Sequence, residues 1–180
     1  GINDANGLGS DNLEWFVGGA ELYSWGHVGW SPSRQDRFYK NIHVSFWHAD
    51  ARDARPDDGF SGTDSAKGIN FSANWLLGEL WMPFARYGYS SGSAPLYNES
   101  ATIGLLKKLH YRSDILGLAT NWGDPPDSDL PEQITTEIFW QFQLSENFEI
   151  TPSIQYLKNP AFNTSDKSLW QASLRLHFIF

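Results

Sequence analysis

The chain has 180 residues, of which 41% are hydrophobic and 16% aromatic, with no cysteine and a formal charge of -8. The negative charge argues against nucleic acid, the lack of cysteine removes disulfides and thiolate chemistry, and no apolar run approaches the roughly 18 residues of a transmembrane helix. Nine Trp, seven Tyr and twelve Phe at a mean hydropathy of -0.43 are the anomaly, and strands with one apolar and one polar face reconcile the two.

Residues 1–12 are polar and rich in Gly, Asn and Asp, and read as a loop. A first strand is expected over 13–29, followed by a turn of unusual length at 31–38. The second, 39–52, alternates: Ile42, Val44 and Phe46 take one face, and Asn41, His43, Ser45 and Trp47 the other. After a long loop at 53–67, strand 68–77 sets Ile69, Phe71, Ala73 and Trp75 against Asn70, Ser72 and Asn74. A short turn at 78–80 leads to 81–90, where Ala85, Tyr87 and Tyr89 oppose Arg86. Loop 91–99 precedes strands 100–109 and 113–123, joined by the short turn 110–112, with Leu116, Leu118 and Trp122 opposite Asn121. Beyond loop 124–132, strand 133–144 sets Ile138, Trp140 and Phe142 against Glu137 and Gln141. A tight turn at 145–147 gives 148–157, with Ile154 opposite Gln155, and then loop 158–167. In the last strand, 168–180, Trp170, Ala172, Leu174, Leu176, Phe178 and Phe180 share one parity, and Gln171, Ser173, Arg175 and His177 the other.

Most of these strands reach the roughly 9–11 residues needed to cross a bilayer at a tilt. Long loops rich in Asp, Gly, Pro and Ser alternate with short turns, the asymmetry of outer-membrane barrels. The closing strand, ending on Phe180, resembles the last strand of such barrels. The expected fold is therefore an all-β, antiparallel transmembrane β-barrel of the bacterial outer membrane, with apolar parity toward lipid and polar parity toward the lumen. If loop 158–167 is external, the first strand descends and 1–12 is extracellular. Nine strands beginning outside do not close alone, so 1–180 is expected to be the C-terminal part of a larger single barrel.

Several segments carry a specific likeness. They are NIHVSFWH at 41–48, FARYGYSSGSAPLY at 84–97, RSDILGLATNWGD at 112–124, QITTEIFWQFQL at 133–144, and ITPSIQ at 150–155 followed by Asn159, Pro160 and Ala161. In this order they resemble the C-terminal half of the OprB-type carbohydrate-selective porins, over most of residues 13–180. The resemblance implies about nine strands of a 16-stranded porin in the outer membrane of a Gram-negative bacterium. It also implies passive diffusion of monosaccharides and other small carbohydrates. The expected partners are small sugars, outer-membrane lipid and the remaining strands of the same barrel, with a homo-trimer as one compatible assembly.

By parity the candidate pore-lining residues are Arg86, Glu137, Arg175, Asn121, Gln141, Gln155, Asn74, Asn70, His43 and Trp47. Amide and hydroxyl groups replace the water a sugar loses, and Arg or Glu can bond hydroxyls in pairs, while passage requires each contact to stay weak. The plainer reading of any one of them is a solvated wall residue, and of Trp47 a space-filling one rather than a ring that stacks on a pyranose. Trp15, Trp81, Tyr87, Tyr89, Trp122 and Trp140 suit interface girdles.

No cofactor, metal site or catalytic set is expected. His27, His43, His48, His110 and His177 lack metal-ligand spacing, and no G-x-S-x-G motif occurs. Asp57, Asp58, Asp64, Asp127 and Asp129 read as solvated loop acids rather than calcium ligands. Two rivals stand beside the porin: a small outer-membrane barrel enzyme with a Ser–His pair at its rim, and a soluble β-sandwich lectin with one dry core.

Overall fold

A computed structural model describes the backbone of residues 2–4 and residues 22–52, 62–92, 96–109, 114–161, 163 and 165–178. Ten strands form one antiparallel sheet in strict chain order: β1 Ile2–Asp4, β2 Leu22–Trp30, β3 Lys40–Ala49, β4 Ala66–Trp75, β5 Trp81–Ser91, β6 Glu99–Lys108, β7 Ile115–Asp124, β8 Gln133–Ser145, β9 Phe148–Lys158 and β10 Ser168–Phe178. Strands β3 to β10 fall where the alternation placed them, within three residues at either end. Ile2–Asp4, expected in a loop, instead pairs with Leu22, Tyr23 and Ser24. The upper end of β2 otherwise presents unpaired N–H and C=O groups, and three residues of backbone satisfy them whatever their side chains. The expected start of the first strand at 13, Phe180, His110 and the acids Asp57 and Asp58 lie outside the described residues.

Turn chemistry sets the short connections. Between β4 and β5, Gly78 and Glu79 have φ of 55° and 65°, two consecutive left-handed residues that turn the chain tightly, and Leu77 bridges Trp81 across the three-residue loop. Ser145 pairs directly with Phe148, so only two residues join β8 and β9. The 31–39 connection is longer because it holds a 3-10 turn at Asp36–Phe38. Ser33 leads into it, its hydroxyl accepting from the Asp36 N–H at 3.1 Å and donating to the Asp36 carboxylate at 2.8 Å.

The sheet is a single layer. Ala66 is the one buried hydrophobic residue among those described, whereas Val28, Phe46, Ile103, Leu118, Ile154 and Leu174 are each more than half exposed. A soluble sandwich needs its apolar parity packed against a second sheet, and no second sheet exists among the described residues. The sandwich reading fails on that observation.

Candidate functional site

Pairing register fixes which residues share a face, because partners in a ladder point the same way. On one face, Leu105, Leu118, Ile138 and Ile154 run side by side across β6 to β9. Aromatic residues flank this apolar row. Trp30 stacks on Trp75 with centroids 6.3 Å apart, Trp140 on Phe142 at 4.1 Å and Phe148 on Phe178 at 4.6 Å. These rings sit toward the short turns, where the Lys107 ammonium also lies 4.7 Å from the Trp81 ring. Toward the long loops stand Tyr87, Tyr89, Trp122, Tyr156 and Trp170. There the Tyr87 hydroxyl donates to Glu99 at 3.0 Å and the Trp122 indole to Glu132 at 2.9 Å. Trp81 and Tyr89 sit on one face of β5, about 26 Å apart along the strand. A tilt of roughly 35–45° reduces this to about 20 Å of height, close to the apolar band of a membrane barrel.

The other face is polar, and all ten candidate residues lie on it. Two rows hold most of them. His43, Ser72, Arg86, Thr102, Asn121 and Thr135 form one across β3 to β8. Asn41, Asn74, Phe84, Gly104, Ala119, Glu137 and Gln155 form the next across β3 to β9. Asn70 lies one row nearer the long loops, paired with Ser45 and Gly88, and Trp47 pairs with Trp25 and Gly68 beyond it.

Local bonds orient several of these groups. Asn121 donates to the Thr102 hydroxyl at 2.8 Å, and the Arg86 guanidinium stands 5.6 Å from the Phe84 ring centre. Toward the short turns, Gln141 donates to Glu149 at 2.9 Å and the same carboxylate oxygen lies 3.3 Å from His177 Nδ1. Arg175 pairs with Thr151 on that side. Arg86 and Arg175 therefore belong to different rows, five strands apart.

Two features of this face escaped the sequence. First, the 31–39 connection folds back over it: Asn41, 8% exposed, donates to the Arg37 carbonyl at 2.8 Å, and Asn74 reaches the Phe38 carbonyl at 3.4 Å. Beside it, Tyr39, Leu76, Leu80, Met82, Leu106 and Ile115 line a cleft of about 280 Å³. Replacing Asn41 by Ala is expected to loosen that turn by about 1 kcal/mol, measured as faster tryptic cleavage after Arg34 and Arg37. Second, bare glycines lie beneath aromatic rings on the neighbouring strand. A methyl group on Gly68 would meet the Trp47 indole, one on Gly104 the Phe84 ring, and one on Gly117 the Phe139 ring. Tyr97, just outside β6, covers Gly123 in the same way. Its burial lifts the phenol above its ordinary pKa, against a hydrogen bond with Gln133 that lowers it.

The histidines do not gather. His27 and His43 tilt together at 6.2 Å, while His48 pairs with Asp50 at 3.5 Å and His177 with Glu149. Among the described residues no group of three or more His, Asp or Glu is placed to hold a metal.

A one-layer sheet with a lipid-compatible face between aromatic girdles and an opposite face of amides, hydroxyls and separated charges is the wall of a transmembrane β-barrel. The chain belongs to the family described as carbohydrate-selective porin, OprB family, which it matches over residues 30–180. It is also similar to the high-pH structure of Pseudomonas putida OprB, with a TM-score of 0.68 and 13% identity, covering 89% of this chain and 49% of that one. At that identity the likeness establishes the fold, and the chain spans about half the length of that porin. The search of curated proteins found no match.

Proposed function

We propose that this chain forms the C-terminal part of the wall of an outer-membrane porin through which monosaccharides and other small carbohydrates diffuse. The observation that carries the reading is the division of one unbacked sheet into an apolar face and a polar face. Family membership supplies the solute class. In the intact barrel the polar face lines the lumen, where Arg86, Glu137 and Arg175 set the local field, and Asn70, Asn74, Asn121, Gln141 and Gln155 exchange bonds with passing hydroxyls. Groups of this kind bind a sugar weakly enough to release it.

The test uses the full-length porin containing this chain, in liposomes and planar bilayers. Alanine at Arg86, Glu137 or Arg175 is expected to shift reversal potential and the rate of glucose-driven swelling more than alanine at Tyr89, which faces lipid. Wild-type values for all three would defeat the lining assignment. A wild-type protein that admits no glucose would defeat the porin reading itself.

A further inference from the structure

We infer that the 31–39 connection is an inward step at the short-turn mouth of the pore, held there by Asn41 and Asn74, and that these two residues limit the size of neutral solute admitted at that mouth. The inference rests on the porin reading above and adds to it a place where the bore is narrowed and the residues that narrow it.

Nine residues separate Trp30 from Lys40, whereas the connections at 78–80 and 146–147 take three and two. The surplus chain does not simply hang below the rim. Two amides of the polar face hold it: Asn41 donates to the Arg37 carbonyl at 2.8 Å and Asn74 to the Phe38 carbonyl at 3.4 Å, with Asn74 also 3.7 Å from the Met82 sulfur. Register pairs Asn41 directly with Asn74 across β3 and β4. One cross-strand pair thus grips two successive peptide carbonyls of the turn.

Turn closure alone does not call for this grip. The Tyr39 N–H already closes the 3-10 turn on the Asp36 carbonyl at 2.8 Å, and the Leu76 N–H carries the ladder one step past β3 to the Tyr39 carbonyl at 2.8 Å. What the two amides add is an inward pull. Its mark on the wall is Asn41, which is 8% exposed on a face that is otherwise open. Phe38, by contrast, stays 69% exposed with the Arg37 guanidinium 4.5 Å from its ring centre. The bulk of the step therefore stands clear of the wall.

A layer of chain laid on a sheet raises its surface by roughly 10 Å, the spacing of packed layers. The bore at this mouth therefore depends on whether the step is held. Each grip is a bond between neutral groups and modest in strength, so the turn is released for a fraction of the time that a single substitution changes. The property at stake is size alone. A neutral, flexible polymer has no charge and no ring face to be recognised, and it reports the opening only by entering it.

The experiment places the full-length porin containing this chain in planar bilayers and reads ion current, as a fraction of the polymer-free value, with polyethylene glycols of graded mass added to each side in turn. The smallest polymer that leaves the wild-type current unchanged from the short-turn side is expected to lower it in Asn41→Ala, Asn41→Asp and Asn74→Ala. Loss of one neutral hydrogen bond raises the released fraction about threefold to tenfold, and polymer entry rises with it. Asn41→Asp keeps the shape but cannot donate. From the long-loop side each variant is expected to match the wild type. Ser90→Ala, which removes a hydroxyl bond to the Tyr97 carbonyl at 2.6 Å near the long loops, is expected to leave the short-turn side unchanged. Asn74→Ala loses the longer bond and carries the test if the Asn41 variants assemble poorly. Folded variants that exclude the same polymer as the wild type from the short-turn side, or that admit it equally from both sides, overturn the step. A wild-type barrel that conducts no ions defeats the porin reading and the step with it, whereas a conducting barrel with unaltered exclusion in the variants defeats the step alone.

Discussion

Arginine at Leu118 or Ile138 is expected to cost about 2–4 kcal/mol in folding of the intact barrel into a bilayer. The two residues are partners across β7 and β8, 53% and 48% exposed, in the middle of the row that runs from Leu105 to Ile154. In water an exposed arginine on a strand costs little. At mid-depth in hydrocarbon the guanidinium must drag water inward or reach toward the headgroups, and either route is unfavourable. Urea-titrated refolding into lipid vesicles measures the difference. Arginine at Thr102 or Asn121, on the opposite face and about 10 Å nearer the long loops along the strand, serves as the control and is expected to change stability by less than about 1 kcal/mol. Equal costs on the two faces would mean that lipid does not contact the Leu118 side.

Alanine at Gly117 is expected to destabilise the barrel by about 1–3 kcal/mol, although alanine is ordinarily the milder residue in a strand. The added methyl would occupy space held by the Phe139 ring on β8, and a ring pressed onto the wall can yield only by leaving its rotamer. The informative measurement is a double-mutant cycle. Removing the ring with Phe139→Ala should abolish most of the cost of Gly117→Ala, giving a coupling of about 1 kcal/mol or more between positions on adjacent strands. Additive costs would show that the two do not compete for one volume. The same cycle applies to Gly104 with Phe84, where Ala119 closes the far side and leaves the ring less room to retreat.

Both expectations draw on information the sequence carries unequally. Alternation on β3, β4 and β10 is nearly unbroken, because lipid and water impose opposite demands on successive residues and neither tolerates exceptions. Strand faces, most strand limits and the short turn at 78–80 follow from such local rules. β2 resisted the same treatment, since Tyr23 and Trp25 stand on one face while Val28 and Trp30 stand on the other, so neither parity is polar enough to name the lumen side. The shared face of Tyr23, Trp25 and Trp47 was hidden for that reason, and only pairing with β3 resolves it. The ring and glycine partners were hidden differently: Phe139 and Gly117 lie 22 positions apart, and nothing in either segment states the register that brings them together. The fold-back of the 31–39 turn likewise depends on Asn74, a residue from the next hairpin.

The strict chain order of the sheet has a consequence for variation and assembly. Each described strand from β2 to β9 pairs with the strands before and after it in sequence, so within the described sheet these strands satisfy their backbone groups with chain neighbours. Closure entropy is met in small steps, one hairpin at a time, and a local defect weakens two seams without unravelling the rest. A two-strand hairpin gained or lost at one of the turns would leave every remaining residue on its original side of the wall. The circumference would change while the division between inside and outside stayed intact, so bore and surface chemistry are separately adjustable in this architecture.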